Sequence, residues 1–208
     1  LDGKTILDLG CGDGNMGHYF LQNGAKSVVG VDISENMIAQ ATKNNTNPNM
    51  TFQLLKMEDI SSLTQKFAIV YSSLAFHYVE DFDAFAKAMY SVLNVGGQLL
   101  FSQEHPIITS TVDGAGHFNK DENGEKVSYT FSNYNQPGER KIHWYVDGVI
   151  KYHRTFSNII NALAKAGFVI EEVCEPVPEE WVIEKVPAWV KEYIKPNFLI
   201  VKARKEEM

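Results

Sequence analysis

The sequence predicts an α/β fold, a mostly parallel sheet with helices on both faces, from two observations. Short apolar runs alternate with stretches of helical periodicity along most of the 208 residues, and the first run, Lys4–Leu9, leads straight into a glycine-rich turn. Regular alternation of strands and helices is typical of a parallel sheet covered on both sides, joined by right-handed crossovers. Ligands of such sheets bind beyond the carboxyl ends of the strands, so the search for a site begins there.

The first half of the chain supplies five of the predicted strands. Each is a short run rich in branched or aromatic residues, the pattern of a strand buried in a sheet. These runs are Lys4–Leu9, Ser27–Val31, Thr51–Leu55, Phe67–Tyr71 and Gln98–Ser102.

Three helices are predicted between these strands from apolar residues three and four positions apart. Gly24 ends the first helix, Ser34 caps the start of the second, and Gly96-Gly97 breaks the third. The apolar stripes are Met16, Tyr19 and Phe20, then Met37, Ile38 and Ala41, then Phe82, Phe85, Ala86, Met89, Val92 and Leu93.

The pattern breaks from about 104 to 154, where Gly, Asn, Asp and aromatic residues accumulate. We interpret this stretch as a lid-like insertion into a single domain that spans residues 1–208. Two short strands are predicted in it, Val127–Tyr134 and Lys141–Val146, with Pro137-Gly138 as the turn between them.

The α/β pattern resumes after the insertion. Ser157 is predicted to cap a helix that Gly167 ends, and the strands Phe168–Val173 and Asn197–Ala203 bring the total to seven. A partly helical excursion separates these two strands. It carries Trp181, Pro187, Trp189 and Tyr193.

Composition and net charge limit the classes of function that the chain could have. The formal net charge is −7 without a basic face, which disfavours nucleic acid as a partner. No apolar run approaches the roughly 20 residues that span a bilayer, and no signal peptide is visible. Cys11 and Cys174 are too few for a disulfide framework, so we expect reduced thiols in a cytoplasmic protein. The chain begins at Leu1, and we expect the natural protein to have more residues in front. The oligomeric state is left open.

The stretch ILDLGCGDGN, Ile6–Asn15, carries the strongest functional signal. A glycine-rich turn from a first strand into a helix offers backbone N–H groups to a nucleotide-like cofactor. A dinucleotide requires glycine at a third position that Asn15 occupies here, which disfavours NAD. Asp32, at the end of the second strand, is placed to accept hydrogen bonds from ribose hydroxyls. A purely structural strand-to-helix connection is the alternative for the glycines alone.

Further segments follow the glycine turn at short intervals: VVGVDIS, MEDIS, FAIVYSSLAFHYVED and VLNVGGQLLFS. This series, from about Thr5 to Ser102, resembles the class I S-adenosylmethionine-dependent methyltransferases, and within them the small-molecule group of the ubiquinone-biosynthesis type (methyltransferase type 11). The resemblance implies a Rossmann-like seven-stranded sheet of order 3-2-1-4-5-7-6 with the last strand antiparallel. It also implies S-adenosylmethionine as cofactor and S-adenosylhomocysteine as product.

The resemblance implies a role for each matched residue. Asp8 would hold the turn or reach the cofactor's amino group, and Asp32 would bind the ribose. Ile33 and Met37 would enclose the adenine, with Asp59 at its amino group. The implied cofactor-binding residues are Asp8, Gly10, Cys11, Gly12, Gly14, Asp32, Ile33, Met37, Glu58, Asp59, Ile60, Ser72 and Ser73. Ser72 and Ser73 form the wall beside the methyl-bearing sulfur in this scheme.

Candidate catalytic residues follow the fourth and fifth strands. His77 suits a general base or a substrate contact, and the alternative is a histidine that packs and caps the next helix. Glu104 lies beside His105 in the chain and could orient its imidazole, or both could belong to a structural turn. Positioning alone supplies much of the acceleration of a methyl transfer, so a strong base motif is not required.

Substrate contacts are predicted from the segment after the fourth strand and from the insertion. Arg154, next to His153, could pair with a small anionic substrate, or form an ion pair at the start of the following helix. Tyr78 and Trp144 are assigned to the acceptor pocket, although aromatic residues of the insertion could instead form its own core. No metal-ligand spacing is present, so no metal site is predicted.

Three functions from different classes remain open on the sequence. The first is methyl transfer from S-adenosylmethionine to a small molecule with an oxygen, nitrogen or carbon nucleophile, by in-line displacement. The segment Ser72-Ser73-Leu74-Ala75 lacks the Asn/Asp-Pro-Pro-aromatic motif of enzymes that methylate adenine or glutamine, which argues against those acceptors. The others are an NAD(P)-dependent oxidoreductase and a non-catalytic S-adenosylmethionine-binding protein.

Overall fold

A seven-stranded sheet forms the centre of the molecule. The computed structural model describes residues 1–112, 116–144 and 146–206, and only the backbone of 143, 144, 146 and 147. The strands of this sheet are β1 (Thr5–Leu9), β2 (Ser27–Asp32), β3 (Met50–Leu54), β4 (Phe67–Ser73), β5 (Leu93–Glu104), β10 (Phe168–Cys174) and β11 (Phe198–Lys205). Their spatial order is β10-β11-β5-β4-β1-β2-β3.

Strands β1 to β5 are parallel to one another, while β11 pairs antiparallel with both β5 and β10. Counted by their positions in the sheet, this is the order 3-2-1-4-5-7-6 with the last strand antiparallel. The predicted fold class is therefore confirmed. Because β1 and β4 are neighbours although β2 and β3 lie between them in sequence, the strand order reverses beside β1, where ligands of such sheets bind.

Helices cover both faces of the sheet. They are α1 (Asn15–Gln22), α2 (Glu35–Asn44), α3 (Phe82–Val92), α4 (Pro106–Thr109), α5 (Phe156–Lys165) and α6 (Glu180–Lys185). Short 3-10 helices lie at Met57–Ser62, Phe76–Tyr78 and Pro187–Tyr193.

Alternate residues of β1 belong to two separate cores. Leu7 and Leu9 lie in the larger cluster with side chains of α3 and α5, whereas Ile6 packs with Phe20 of α1 in the smaller one. Successive side chains of a strand point to opposite faces, so the alternation buries both sides of the sheet. By the same rule Asp8 shares the face of Ile6, although its side chain is polar.

The predicted stripe of α3 is buried from Phe82 to Val92, but Leu93 already begins β5, so the helix ends before Gly96-Gly97. In α1 and α2 the predicted stripes were wrong at Tyr19 and Met37, which are 55% and 40% exposed, and one cap also differs.

Ser34 Oγ accepts a hydrogen bond from the N–H of Met37 at 3.3 Å, as predicted for α2. The prediction that Ser157 caps α5 is wrong: the cap is Thr155, whose Oγ1 accepts from the N–H of Asn158 at 3.2 Å. Ser157 lies inside the first helical turn, where its side chain contacts the Thr155 hydroxyl instead.

The insertion contains two hairpins, not the single one predicted. Strand β6 (His117–Lys120) pairs with β7 (Lys126–Thr130), and β8 (Gly138–Trp144) pairs with β9 (Val146–His153). The two predicted strands thus belong to different hairpins, and Pro137-Gly138 stands at the start of β8 instead of joining them. The prediction failed because β6 and β9 carry many polar residues and alternate weakly, so hydrophobic periodicity does not detect them.

The insertion is attached to the main body at the carboxyl end of the sheet. Strand β9 contacts the turn Phe76–Tyr78, which follows β4. The Arg140 guanidinium, only 4% exposed, is held entirely by carbonyl oxygens, among them that of Ser110 at 2.8 and 3.0 Å. A buried guanidinium needs such partners for its five N–H donors, so Arg140 fixes β8 against α4.

Candidate active site

A cavity of about 330 Å³ opens at the carboxyl ends of β1, β2 and β4, where the strand order reverses. This is the position that the fold class predicts for a ligand. Its lining residues are Gly10, Asp32, Ile33, Lys56, Met57, Glu58, Ser73, Leu74, Ala75 and Tyr78.

The three glycines of the turn are required for different reasons. All have positive φ, +70° at Gly10, +54° at Gly12 and +81° at Gly14, which L side chains rarely adopt. A Cβ at Gly10 would come within 2.7 Å of Ala75 Cβ, and one at Gly14 within 2.5 Å of the Phe52 ring. At Gly12 no other atom lies within 4 Å. Only Gly12 therefore borders open space, while the other two allow the turn to pack against the protein.

The backbone N–H groups of the turn are largely used within the protein, contrary to the expectation that they are free for a ligand. Those of Gly10 and Cys11 donate to the Val31 carbonyl at 2.8 and 3.0 Å. The N–H of Gly14 donates to the Cys11 carbonyl, and that of Gly12 to Asp32 Oδ2 at 2.9 Å. A pyrophosphate group needs free N–H donors at this place, so the turn is poorly suited to a dinucleotide.

Asp32 connects the glycine turn to the beginning of α2. Its Oδ2 accepts from Gly12, and its Oδ1 accepts from the N–H of Ser34 at 2.8 Å. A carboxylate offers about four lone-pair sites, so two remain for hydroxyl groups of a ligand. Because Asp32 also lines the cavity, it is placed for the ribose role that the resemblance implies.

Asp8 is a buried carboxyl at the end of β1. Only 3% of it is exposed, and no described residue forms a hydrogen bond or ion pair with it. Burial, followed by the charge of Asp32, raises the pKa of Asp8 to about 7. An unpaired buried carboxyl is costly unless a donor or a positive charge approaches it. The pair Asp8 and Asp32 therefore favours a cationic ligand group over an anionic one.

Cys11 is a small residue fitted into the turn. Its side chain is buried, and a Cβ at Gly30 would lie 2.8 Å from its Sγ. Burial and the charges of Asp8 and Asp32 raise its pKa, so the thiol stays protonated. The thiolate is the reactive form of cysteine, and these surroundings suppress it.

The segment after β3 contributes one side of the cavity. Glu58 lines it as predicted, and Lys56 and Met57, which the sequence reading missed, line it too. Asp59 is exposed beside the cavity, but Ile60 is fully buried in the larger core, so its side chain serves packing. On the facing side Ile33 lines the cavity and is 67% exposed, whereas Met37 is 40% exposed and lies outside the lining.

The end of β4 forms the opposite wall. Ser73 lines the cavity, whereas Ser72 is fully buried and its Oγ donates to the Leu9 carbonyl at 2.7 Å, which ties β4 to β1. Leu74 has a φ of +55°, unusual for a residue with a side chain, and its N–H donates to the Ser102 carbonyl at 2.9 Å. Leu74 and Ala75 both line the cavity, and neither was predicted.

His77 lies behind this wall and is a weak base. It is 3% exposed, and its Nδ1 accepts from the backbone N–H of Glu104 at 3.3 Å. Burial, Lys151 and Arg154 lower its pKa to about 3. The ring is therefore neutral at physiological pH with its proton on Nε2, where it can donate a hydrogen bond. These properties suit a substrate contact better than proton removal.

Glu104 and His105 do not act on each other, because adjacent residues of an extended chain point to opposite sides. Glu104 forms an ion pair with Lys151 of β9, a residue that the sequence reading did not single out. His105 Nε2 lies 2.7 Å from Glu175, and its Nδ1 accepts from Ile107 at the start of α4. Both nitrogens of His105 thus serve local structure.

His153 and Arg154 are also engaged within the protein. His153 is 1% exposed, with Nε2 at 2.8 Å from the Tyr134 carbonyl and Nδ1 at 2.9 Å from Thr109 Oγ1. Arg154 donates to the Glu80 carbonyl at 2.9 Å and lies over the Phe82 ring, outside the cavity lining. Tyr78 lines the cavity as predicted, while the side chain of Trp144 lies outside the described residues.

The described residues contain neither a membrane-spanning helix nor a cluster of metal ligands. No helix in this part of the chain is long and apolar enough to cross a membrane. Within the same residues, no group of three His, Cys, Asp or Glu side chains is arranged to hold a metal ion.

The sheet order and the acidic, glycine-lined cavity define a Rossmann-like protein suited to a nucleoside with a cationic group. A methyltransferase-domain family matches residues 6–97. The S-adenosylmethionine-dependent methyltransferase of Mesorhizobium loti is 34% identical, with 98% of this chain and 92% of that one aligned at a TM-score of 0.90. A structure from Listeria monocytogenes, provisionally assigned to the same class, is 37% identical over 99% and 91% of the two chains, with a TM-score of 0.88. The ubiquinone biosynthesis O-methyltransferase of Coxiella burnetii is 33% identical over 49% of this chain and 44% of its own length.

This chain belongs to the class I S-adenosylmethionine-dependent methyltransferases, and S-adenosylmethionine is its cofactor. The resemblance drawn from the motifs is thereby confirmed. The residues present fit this cofactor on three points: Asp8 lacks a partner among the described residues, Gly12 borders open space, and Asp32 keeps free lone pairs. Which atom of which acceptor is methylated is a separate question.

Proposed function

We propose that this enzyme methylates a small molecule that binds at the Tyr78 end of the cavity, while the cofactor occupies the end formed by Asp32 and Glu58. The observation that carries the proposal is the lining of the cavity. The acidic residues Asp32 and Glu58 line it together with Gly10 of the glycine turn, and Ser73, Leu74 and Tyr78 also line it. When bound, S-adenosylmethionine supplies a methyl group already activated by a positively charged sulfur.

Residues of the first end hold and orient the cofactor in this scheme. Asp32 accepts hydrogen bonds from the ribose hydroxyls, and Asp8 balances the positive charge of the methionine part. Ile33 and Met57 cover the adenine with apolar surface, and the exposed Asp59 reaches its amino group. Precise orientation supplies roughly 7–11 kcal/mol of the barrier reduction in well-aligned reactions, so this positioning is a main catalytic contribution.

We also infer that the insertion covers the acceptor end and excludes water. Support comes from β9, whose Lys151 lies 5.9 Å from the ring centre of Tyr78, a cavity residue. A small acceptor is favoured over nucleic acid because the net charge is −7 and the cavity is acidic. The unpaired Cys11 and Cys174 support a reducing, cytoplasmic location.

The test is calorimetric titration with S-adenosylmethionine, S-adenosylhomocysteine and NAD in parallel. We expect micromolar binding of the two adenosyl compounds and none of NAD, because the N–H groups of the glycine turn are already bonded. Binding of NAD alone would refute the proposal in favour of an oxidoreductase. Tight binding without formation of S-adenosylhomocysteine in the presence of a broad panel of small acceptors would favour a non-catalytic binding protein.

A further inference from the structure

A buried polar cluster lies directly behind the acceptor end of the cavity. Tyr78 lines the cavity, and its ring centre is 4.3 Å from that of His77 and 5.9 Å from Lys151 Nζ. Lys151 is 5% exposed and forms an ion pair with Glu104, which donates its backbone N–H to His77. Four polar residues, from the turn after β4 and from β5 and β9, thus converge beside the proposed acceptor end of the cavity.

His77 lies behind the cavity residue Tyr78 and carries a hydrogen-bond donor whose position on the ring is fixed. Because its Nδ1 accepts from the Glu104 backbone, the proton of the neutral ring is fixed on Nε2. Nε2 makes no hydrogen bond with any described residue and is not completely enclosed. An acceptor oxygen placed there gains a hydrogen bond that the described residues do not use.

The charges that act on His77 are positive. After burial, the charges of Lys151 and Arg154 lower the pKa of His77. The carboxylate of Glu104, which pairs with Lys151, contributes after burial to the raised pKa of the neighbouring Tyr78. The guanidinium of Arg154 is bonded to carbonyl oxygens, those of Glu80 and Tyr152, which leave its charge in place. The potential at this ring therefore favours an anionic group and disfavours an ammonium group.

We propose that the acceptor end is an anion subsite, in which the Lys151 ammonium and the Nε2–H of His77 bind a carboxylate or another acidic oxygen of the methyl acceptor. The inference rests on the proposed function, since it names the class of acceptor for that cavity. It assigns Lys151 a role in specificity and makes the acceptor a small organic acid. Glu104 then holds Lys151 in place and moderates its charge.

The rival is a purely structural ion pair that braces β9 against β5. The two alternatives predict opposite effects of Glu104→Gln on the affinity for acids. In an anion subsite this substitution removes a competing negative charge, so acids bind more tightly. If the ion pair is only structural, the same substitution loosens the insertion and does not increase the affinity for acids.

The experiment uses two matched pairs of probes, acetate with acetamide and benzoate with benzamide, together with benzylamine. Their binding to the chain saturated with S-adenosylhomocysteine is measured by calorimetry at pH 7.5 and low salt. We expect each acid to bind at least about tenfold more tightly than its amide, and benzylamine to bind most weakly. Equal binding of acids and amides, or no binding of either acid, would overturn the anion subsite.

Variants then identify the residues that cause the preference for acids over amides. Lys151→Met should abolish the preference for acids, and Glu104→Gln should strengthen acid binding severalfold. Lys141→Met, at an exposed lysine of the same hairpin, is the control and should leave acid binding unchanged. The double variant Lys151→Met with Glu104→Gln removes both charges of this ion pair, so it guards against unfolding and should bind acids as weakly as Lys151→Met. Weaker acid binding in Glu104→Gln would support the brace and overturn the inference.

The failure of this inference is distinguishable from failure of the proposed function. S-adenosylhomocysteine binding is measured first for every variant. If the wild-type chain does not bind it, the proposed function and the subsite fall together. If it binds and the acid preference is absent, only the anion subsite is refuted.

Discussion

Asp8 makes the stability of the fold depend on pH in an unusual direction. Its pKa is raised from 3.8 to about 7 in the folded protein, mainly by burial. A carboxyl whose pKa is higher in the folded state holds its proton more tightly there, so its contribution is fully present below pH 3.8 and is lost as pH rises to 7. Each pKa unit corresponds to about 1.4 kcal/mol, so this group alone removes about 3 kcal/mol of stability between pH 5 and pH 8.

Replacing Asp8 with asparagine removes the titration while keeping the shape. We expect the difference in unfolding free energy between pH 5 and pH 8 to shift by about 3 kcal/mol relative to the wild-type chain, in favour of the variant at pH 8. Urea denaturation at the two pH values, without cofactor, measures this. Glu122→Gln, at an exposed position in the β6–β7 turn, is the control and should follow the wild type.

The same group couples cofactor binding to proton release. The positive charge of S-adenosylmethionine lowers the pKa of Asp8, so at pH 7 part of a proton leaves the protein when the cofactor binds. Calorimetry in two buffers of different ionisation enthalpy detects this release, and Asp8→Asn should diminish it. Identical pH dependence of stability in the variant and the wild type would refute the reasoning, because Asp8 would then be ionised in the folded protein.

Three further predictions concern residues that shape the site. Asp32→Ala should weaken S-adenosylhomocysteine binding by about 2–3 kcal/mol, on the order of 10²-fold in a calorimetric titration, because the ribose hydroxyls lose the carboxylate that accepts their hydrogen bonds. Unchanged affinity would show that Asp32 does not bind the ribose. Gly14→Ala should destabilise the fold by clearly more than Gly124→Ala. Both glycines have φ near +80°, but only a Cβ at Gly14 would clash, at 2.5 Å from a ring carbon of Phe52. Equal decreases in melting temperature would argue against the clash. Thr155→Ala should cost about 1 kcal/mol in urea denaturation and Ser157→Ala much less, because only Thr155 caps α5; the reverse order would contradict the cap assignment.

The repeating part of the fold was readable from the sequence because its signals are local. The parallel strands are short apolar runs, and the helices show their buried stripes, so each could be located without knowing its neighbours. The glycine turn after β1 and the acid at the end of β2 were found in the same way. Strand order came from the resemblance to a known family, since no local pattern states which strand lies beside which.

The insertion was predicted least well, again for a physical reason. Its strands are stabilised by carbonyl contacts of Arg140 and by buried polar pairs such as His153 with Thr109, instead of an alternating apolar face. Hydrophobic periodicity does not detect that kind of stabilisation. The cap of α5 was misplaced by two residues because Thr155 and Ser157 are both good caps, and only the path of the chain decides between them.

By itself, the sequence determined the class of sheet and the place of the glycine turn, because these depend on residues close together in the chain. The cofactor followed from the resemblance of several such segments to a known family. Only the tertiary structure showed why two of the glycines are required. Ala75 packs against Gly10 and Phe52 against Gly14, and both neighbours are distant in sequence. The same holds for the ion pair of Glu104 with Lys151, which lie 47 residues apart, and for the unpaired Asp8 beneath the turn. Burial and long-range proximity set the pKa values and charges of the site, and neither is encoded in any local pattern.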